Sequence, residues 1–184
     1  MSSGKIRTLK PNVSQQEAIR AFAVEGWSAI YWRVRGGPLE RVADAYVPYH
    51  LYTVRYRERA KDCIRRFALD AVEGSLDLFE FPKPPEERDF VIIETRNRLN
   101  AGIEGARADD LLKEKVLRVL FQRGFFRMSD PRLEVAREPV EMHVPYWLGF
   151  HQARGHVRCR VMDAVRRRIE GGKARALFEN WLAA

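Results

Sequence analysis

Two stretches decide how this chain is read: Tyr46-Val-Pro-Tyr49 followed by Leu69-Asp-Ala-Val72, and His143-Val-Pro-Tyr146 followed by Met162-Asp-Ala-Val165. In each, runs rich in β-branched and aromatic residues flank a basic turn, which is the pattern of an antiparallel hairpin. From Val47 to Asp70 is 23 residues and from Val144 to Asp163 is 19, so a small difference in hairpin length reconciles the copies. Matches in the same order, each with a helix upstream, predict a duplicated helix-plus-hairpin unit.

The helices are read from caps and apolar spacing. Ser14-Gln-Gln-Glu17 is a capping box, and Ala18, Ile19, Phe22 and Ala23 follow at helical spacing until Gly26. A second helix opens near Asp109-Asp110, where negative charge suits the N-terminal end of the dipole, and carries Leu112, Val116, Val119 and Leu120 until Gly124. A third runs from about Lys173, with Ala174, Leu177, Phe178, Trp181 and Leu182 forming an apolar stripe. Strands are expected at Ser28 to Arg35, Ala45 to Tyr56, Ile64 to Val72 and Leu76 to Phe81, with a short one at Phe90-Val-Ile-Ile93.

Pro82-Lys-Pro-Pro85 is a stiff, extended break. The expected fold is therefore α+β. Two duplicated helix-plus-antiparallel-hairpin units, residues 1–81 and 109–184, pack into one compact body across a linker at 82–108, and an amphipathic helix closes the C-terminus.

Three of the four histidines and one of the two cysteines crowd into His143 to Cys159, which raises the question of a metal. With Gln152-Ala-Arg-Gly155 as the loop, Phe150 faces Val157, Leu148 faces Cys159 and Tyr146 faces Val161, so Cys159 enters the core while His151 and His156 point away from it. His143 lies roughly 26 Å along the strand from His151, too far for four ligands to converge on a tetrahedral ion. No metal or other cofactor is expected. The same register in the first copy pairs His50 with Phe67 and Val54 with Cys63, placing apolar groups on both faces.

A capped helix, a hairpin and the Asp70-Ala-Val-Glu-Gly74 turn together resemble the PepSY-type module, over residues 14 to 80 and, less closely, 109 to 170. The second copy carries Arg166-Arg-Arg168 where the turn glycine would fall. The resemblance implies a non-catalytic binding or regulatory module, present in tandem.

Chemistry-bearing motifs are scarce. No glycine-rich phosphate loop, Gly-x-Ser-x-Gly or His-Glu-x-x-His occurs. Asp70 and Asp163 sit at equivalent repeat positions, where a strand-end aspartate holds turn amides. The chain holds 33 Lys and Arg against 25 Asp and Glu, a net charge of +8, which favours anionic partners. Basic and aromatic residues interleave on the expected outer faces. Trp147 opposes Arg160, Tyr52 opposes Arg65, Trp32 lies between Tyr31 and Arg33, and Arg158 shares the second outer face. Arg166, Arg167 and Arg168 form the densest positive run.

Those eight residues, Tyr52, Arg65, Trp147, Arg158, Arg160, Arg166, Arg167 and Arg168, are the candidate surface. The expected function is non-catalytic binding of a protein partner, or self-association, with nucleic-acid binding as the first alternative and an enzyme cleft between the halves as the second. No stretch is long and apolar enough for membrane insertion, and two widely spaced cysteines, Cys63 and Cys159, suit free thiols in the cytoplasm.

Overall fold

The computed structural model describes residues 3–23, 37–58, 61–76, 78–122, 133–153 and 156–184. The strand expected at Ser28 to Arg35, with Trp32, and the helix ends at Gly26 and Gly124 lie outside the described residues. The elements run β1 (Gly4–Leu9), α1 (Gln15–Ala23), β2 (Leu39–Glu58), β3 (Lys61–Asp70), β4 (Phe79–Phe81), β5 (Phe90–Thr95), α2 (Gly105–Gln122), β6 (Glu134–Ala153), β7 (His156–Asp163), β8 (Arg168–Ile169) and α3 (Gly172–Ala183). The chain is α+β, with a mixed sheet. Neighbouring strands follow the order β4-β3-β2-β6-β1-β5, with β7 on β6 and β8 on β7.

The capping box closes as its spacing dictates. The Ser14 amide donates to Glu17 Oε2 at 2.8 Å, and the Glu17 amide donates to Ser14 Oγ at 3.3 Å. The second helix opens at Gly105, four residues before Asp109. β1 is not legible in the sequence, because Gly4-Lys-Ile-Arg-Thr-Leu9 is short and carries charge. It is held by parallel pairing, with Thr8 beside His143, and by the Thr8 hydroxyl, which donates to the His143 carbonyl at 3.1 Å.

Both hairpins form two residues out of the expected register. Tyr49 pairs with Asp70, Tyr52 with Phe67 and Val54 with Arg65, down to Glu58 with Lys61. Tyr146 pairs with Asp163, Leu148 with Val161 and Phe150 with Cys159, up to Ala153 with His156. A shift of two keeps every side chain on its expected face, because side chains alternate with a period of two, but it changes every cross-strand partner. The β6–β7 ladder closes across two residues instead of the expected four, which adds pairing at the end of that hairpin.

Two compact units form, and neither is continuous in sequence. One comprises residues 1–47, 91–99 and 143–184; the other comprises 48–90 and 100–142. Pro82-Lys-Pro-Pro85 lies inside the second unit, so it does not separate the units. In the second unit α2 covers the β2–β3 hairpin: Ala108, Leu112, Val116 and Leu120 pack with Tyr52, Val54, Tyr56, Phe67 and Leu69. In the first unit α1 covers the β6–β7 hairpin, with Ala18 and Phe22 against Met162 and Trp147. Each hairpin thus takes the helix of the other sequence half. The expected arrangement, a hairpin covered by the helix that precedes it, is corrected: α1 touches Leu39 and Val42 at the start of β2, yet the hairpin it covers is β6–β7.

The α1 packing is close. A Cβ added at Gly149 would stand 2.7 Å from the Phe22 ring, so the hairpin strand is glycine where the ring lies on it. Gly149→Ala should cost about 1 to 3 kcal/mol by overpacking, read as a lowered denaturant midpoint. Trimming the ring with Phe22→Leu should recover part of that loss in the double variant, whereas the two effects add if ring and strand do not meet.

Candidate functional site

At each Val-Pro-Tyr the strand changes neighbours. Tyr46 forms a parallel bridge with Arg98, and Tyr49 then pairs antiparallel with Asp70. His143 pairs parallel with Thr8, and Tyr146 then pairs antiparallel with Asp163. Proline has no amide to donate at that point, and its carbonyl serves the returning strand: the Ala71 amide donates to Pro48 at 2.9 Å and the Ala164 amide to Pro145 at 3.1 Å.

Asp70 and Asp163 complete these corners. Asp70 Oδ1 accepts from the Val72 amide at 2.7 Å and Oδ2 from the Ser75 amide at 3.0 Å. Asp163 Oδ1 accepts from the amides of Val165 at 2.8 Å and Arg166 at 2.7 Å. Burial pushes both carboxyls above the ordinary aspartate range, and the amide bonds oppose that rise. Each is wholly enclosed by its own turn. These are positioning groups for the chain, and the two lie in different units.

The histidines are spread among separate jobs. His143 Nδ1 donates to the Arg7 carbonyl and His151 Nδ1 to the Gly37 carbonyl, both at 3.2 Å, and His156 is exposed. The expectation that His151 points away from the core is corrected: it is buried, 3% exposed, because the second hairpin is covered on both faces. Among the described residues no three metal-ligating side chains come together. Cys159 is buried as read, and burial raises its thiol to about 12. Cys63 and Cys159 are both free thiols.

His50, in the second unit, is held at both ring nitrogens. Its Nε2 lies 2.7 Å from the Ile103 carbonyl and its Nδ1 lies 2.7 Å from an Arg137 guanidinium nitrogen. The carbonyl only accepts and the guanidinium only donates, so the ring is the neutral Nε2–H tautomer. Trp147 plays the same part in the first unit, its indole N–H donating to the Val13 carbonyl at 2.9 Å.

The expected aromatic and arginine surface does not assemble. Tyr52 is fully buried under α2, and its hydroxyl donates to Asp109 Oδ1 at 2.9 Å; burial and that carboxylate push its pKa up. Trp147 is half-buried in the α1 contact. Arg160 donates to the Phe22 carbonyl at 2.8 Å with its guanidinium 5.6 Å from the Phe22 ring centre. Arg65 is ion-paired with Glu80, Arg167 with Glu17, and Arg168 with Glu170 at 3.0 Å. Arg166 lies 3.9 Å from Asp163, and Arg158 is exposed. The two-residue register shift accounts for the lost cross-strand pairs, since Tyr52 faces Phe67 instead of Arg65 and Trp147 faces Met162 instead of Arg160. Arg166, Arg167 and Arg168 each meet a carboxylate of their own unit.

A different surface stands open. Opposite the α2 side of the β2–β3 hairpin, Thr53 pairs with Arg66, Arg55 with Ile64 and Arg57 with Asp62, and all these side chains share the face away from α2. Ile64 is 60% exposed. Glu138 holds this face together, its Oε1 accepting from Thr53 Oγ1 at 2.5 Å and from Arg66 Nε at 2.9 Å. A cavity of about 360 Å³ lies at the edge of the hairpin, lined by Ile64, Arg65, Arg66, Glu80, Phe81, Pro82 and Pro84. Arg55 and Ile64 alternate with core residues, a signal the strand pattern carries whichever of the two registers holds.

Comparisons with protein-family models, with curated proteins and with solved structures give no match.

His50 supplies a pH test. Burial, with Arg137 alongside, lowers its pKa below the ordinary 6.5, against the raising effects of Ile103, Glu104 and Asp109. The unfolded chain therefore takes up the proton first, and this contribution to stability is lost as pH falls below about 6.5. The denaturant midpoint of wild type should fall more steeply between about pH 7 and 5 than that of His50→Gln, a difference that isolates His50 from His151 and the aspartates.

Proposed function

We propose that this protein is a non-catalytic interaction protein that binds a protein partner through the open face of the β2–β3 hairpin. One observation carries the reading: an exposed isoleucine, Ile64, set between the exposed Arg55 and the half-buried Arg66, on a sheet face opposite the one α2 covers. Apolar and arginine groups side by side suit a protein interface, where Arg is enriched at the contact. The eight residues read from the sequence contribute little to it directly, since Tyr52 and Trp147 support the hairpins from within. Base stacking would need exposed rings, so those two aromatics do not favour a nucleic acid.

The proposal includes a duplication. Tyr49 with Asp70 and Tyr146 with Asp163, the two proline corners, and the matched roles of His50 and Trp147 support two copies of one strand, helix and hairpin unit that have exchanged helices. A PepSY-like module in tandem is the form this proposal takes, adapted by the exchange. Two free thiols favour a reducing, cytoplasmic setting; no helix among the described residues is long and apolar enough to cross a membrane.

A photo-crosslinking amino acid at position 64 in the full chain tests the binding reading in cells. Protein adducts that disappear on Arg55→Glu plus Arg66→Glu are the expected result. Adducts with nucleic acid alone, or no adducts, would overturn it.

A further inference from the structure

We infer that the first unit binds the phosphate backbone of duplex DNA through the end of its β6–β7 hairpin that carries Arg158. This surface belongs to a different unit from the Ile64 face and rests on different observations.

The positive charge of the chain is not shared between the units. The first unit, residues 1–47, 91–99 and 143–184, holds 17 Lys and Arg against 8 Asp and Glu, whereas the second holds 16 against 17. The net charge of +8 therefore resides entirely in the first unit. Such an asymmetry draws a polyanion to one part of a protein. Along β6 and β7 the charge has one sign. From Met142 to Met162 no Asp or Glu occurs, while the corresponding stretch of the second unit contains Glu58 and Asp62.

The ladder register sets cations on both faces of this ribbon. His156 and Arg158 share the α1 face with His151. Gln152 and Val157 share the α3 face with Phe150, and there the Arg41 guanidinium stands 4.9 Å from the Phe150 ring centre. Arg41, His156 and Arg158 are exposed, and Val157 is 63% exposed. Among the described residues no carboxylate pairs with Arg41 or Arg158. The acidic groups nearby are engaged elsewhere: Glu40 accepts from the Gln152 side-chain amide at 2.9 Å, and Glu179 lies 3.9 Å from Arg175.

Cations on both faces select the shape of the partner. A two-stranded ribbon fits the major groove of B-form DNA, whose phosphate walls flank it on either side. A lipid surface would meet one side only, and Val157 is a single aliphatic group where interfacial binding takes a whole apolar face. Guanidinium groups also pair with phosphate oxygens two at a time, which suits Arg41 and Arg158 to backbone contact.

The test is fluorescence anisotropy of a labelled duplex of about 20 base pairs, roughly two turns, titrated with the full chain across a salt series. Binding should weaken as salt rises. Arg41→Gln plus Arg158→Gln should weaken it at least about tenfold at low salt and reduce the slope of log K against log salt by about 2, since each lost phosphate contact accounts for about 0.9. Lys5→Gln plus Arg96→Gln removes the same charge from exposed positions in β1 and just past β5, and should change affinity by less than about twofold. Circular dichroism checks that both double variants fold. Equal losses from the two would mean that net charge alone attracts the duplex and would overturn the site, as would no binding at low salt. Vesicles of phosphatidylcholine and phosphatidylserine complete the series. Tighter binding to these than to the duplex, lost in the Arg41 and Arg158 variant, would assign the surface to lipid and overturn the DNA reading.

Discussion

Proline in the middle of a long strand is the constraint on which the rest of this structure depends. Pro48 and Pro145 lie within β2 and β6, each 20 residues long, where a missing amide would ordinarily leave a gap in the ladder. Here the gap is where the neighbour changes. Before each proline the strand meets a parallel partner, and after it an antiparallel one. The proline carbonyl accepts the Ala71 or Ala164 amide, and the buried aspartate just before that alanine ties down the amides that follow. A corner without unsatisfied amides lets one strand serve two neighbours in succession.

From these corners follows which helix covers which hairpin. The parallel partner of β6 is β1, which leads into α1, so α1 is delivered to the β6–β7 hairpin. The parallel partner of β2 is the chain around Arg98, which leads into α2 over the β2–β3 hairpin. Val13 and Ile103, the residues entering the two helices, each offer a carbonyl to a side-chain donor, from Trp147 and His50 respectively. Chemically different side chains thus do one job, which is why neither histidine nor tryptophan at these positions signals a ligand.

The two hairpins are covered unequally. The β6–β7 hairpin lies between α1 and α3, and its histidine, cysteine and aromatic groups are consumed in packing. The β2–β3 hairpin has α2 on one side only within its unit, and its other face ends in arginines and an exposed isoleucine.

Much of the local structure was legible. The Ser14 and Glu17 cap, the apolar stripe of α3, the two hairpins and the strand-end role of Asp70 and Asp163 follow from spacing and side-chain chemistry, which act within a few residues. Face assignment also survived the register error, since a slip of two residues preserves alternation, so Cys159 was placed correctly in the core. Partner assignment did not survive it, and the faces that carry Tyr52 and Trp147, expected to be outer, are covered by helices. Which helix covers which hairpin depends on parallel pairings between Thr8 and His143 and between Tyr46 and Arg98. Such pairings join residues far apart in the chain through backbone groups that every residue possesses, so only the tertiary structure decides them, and with them which face stays open.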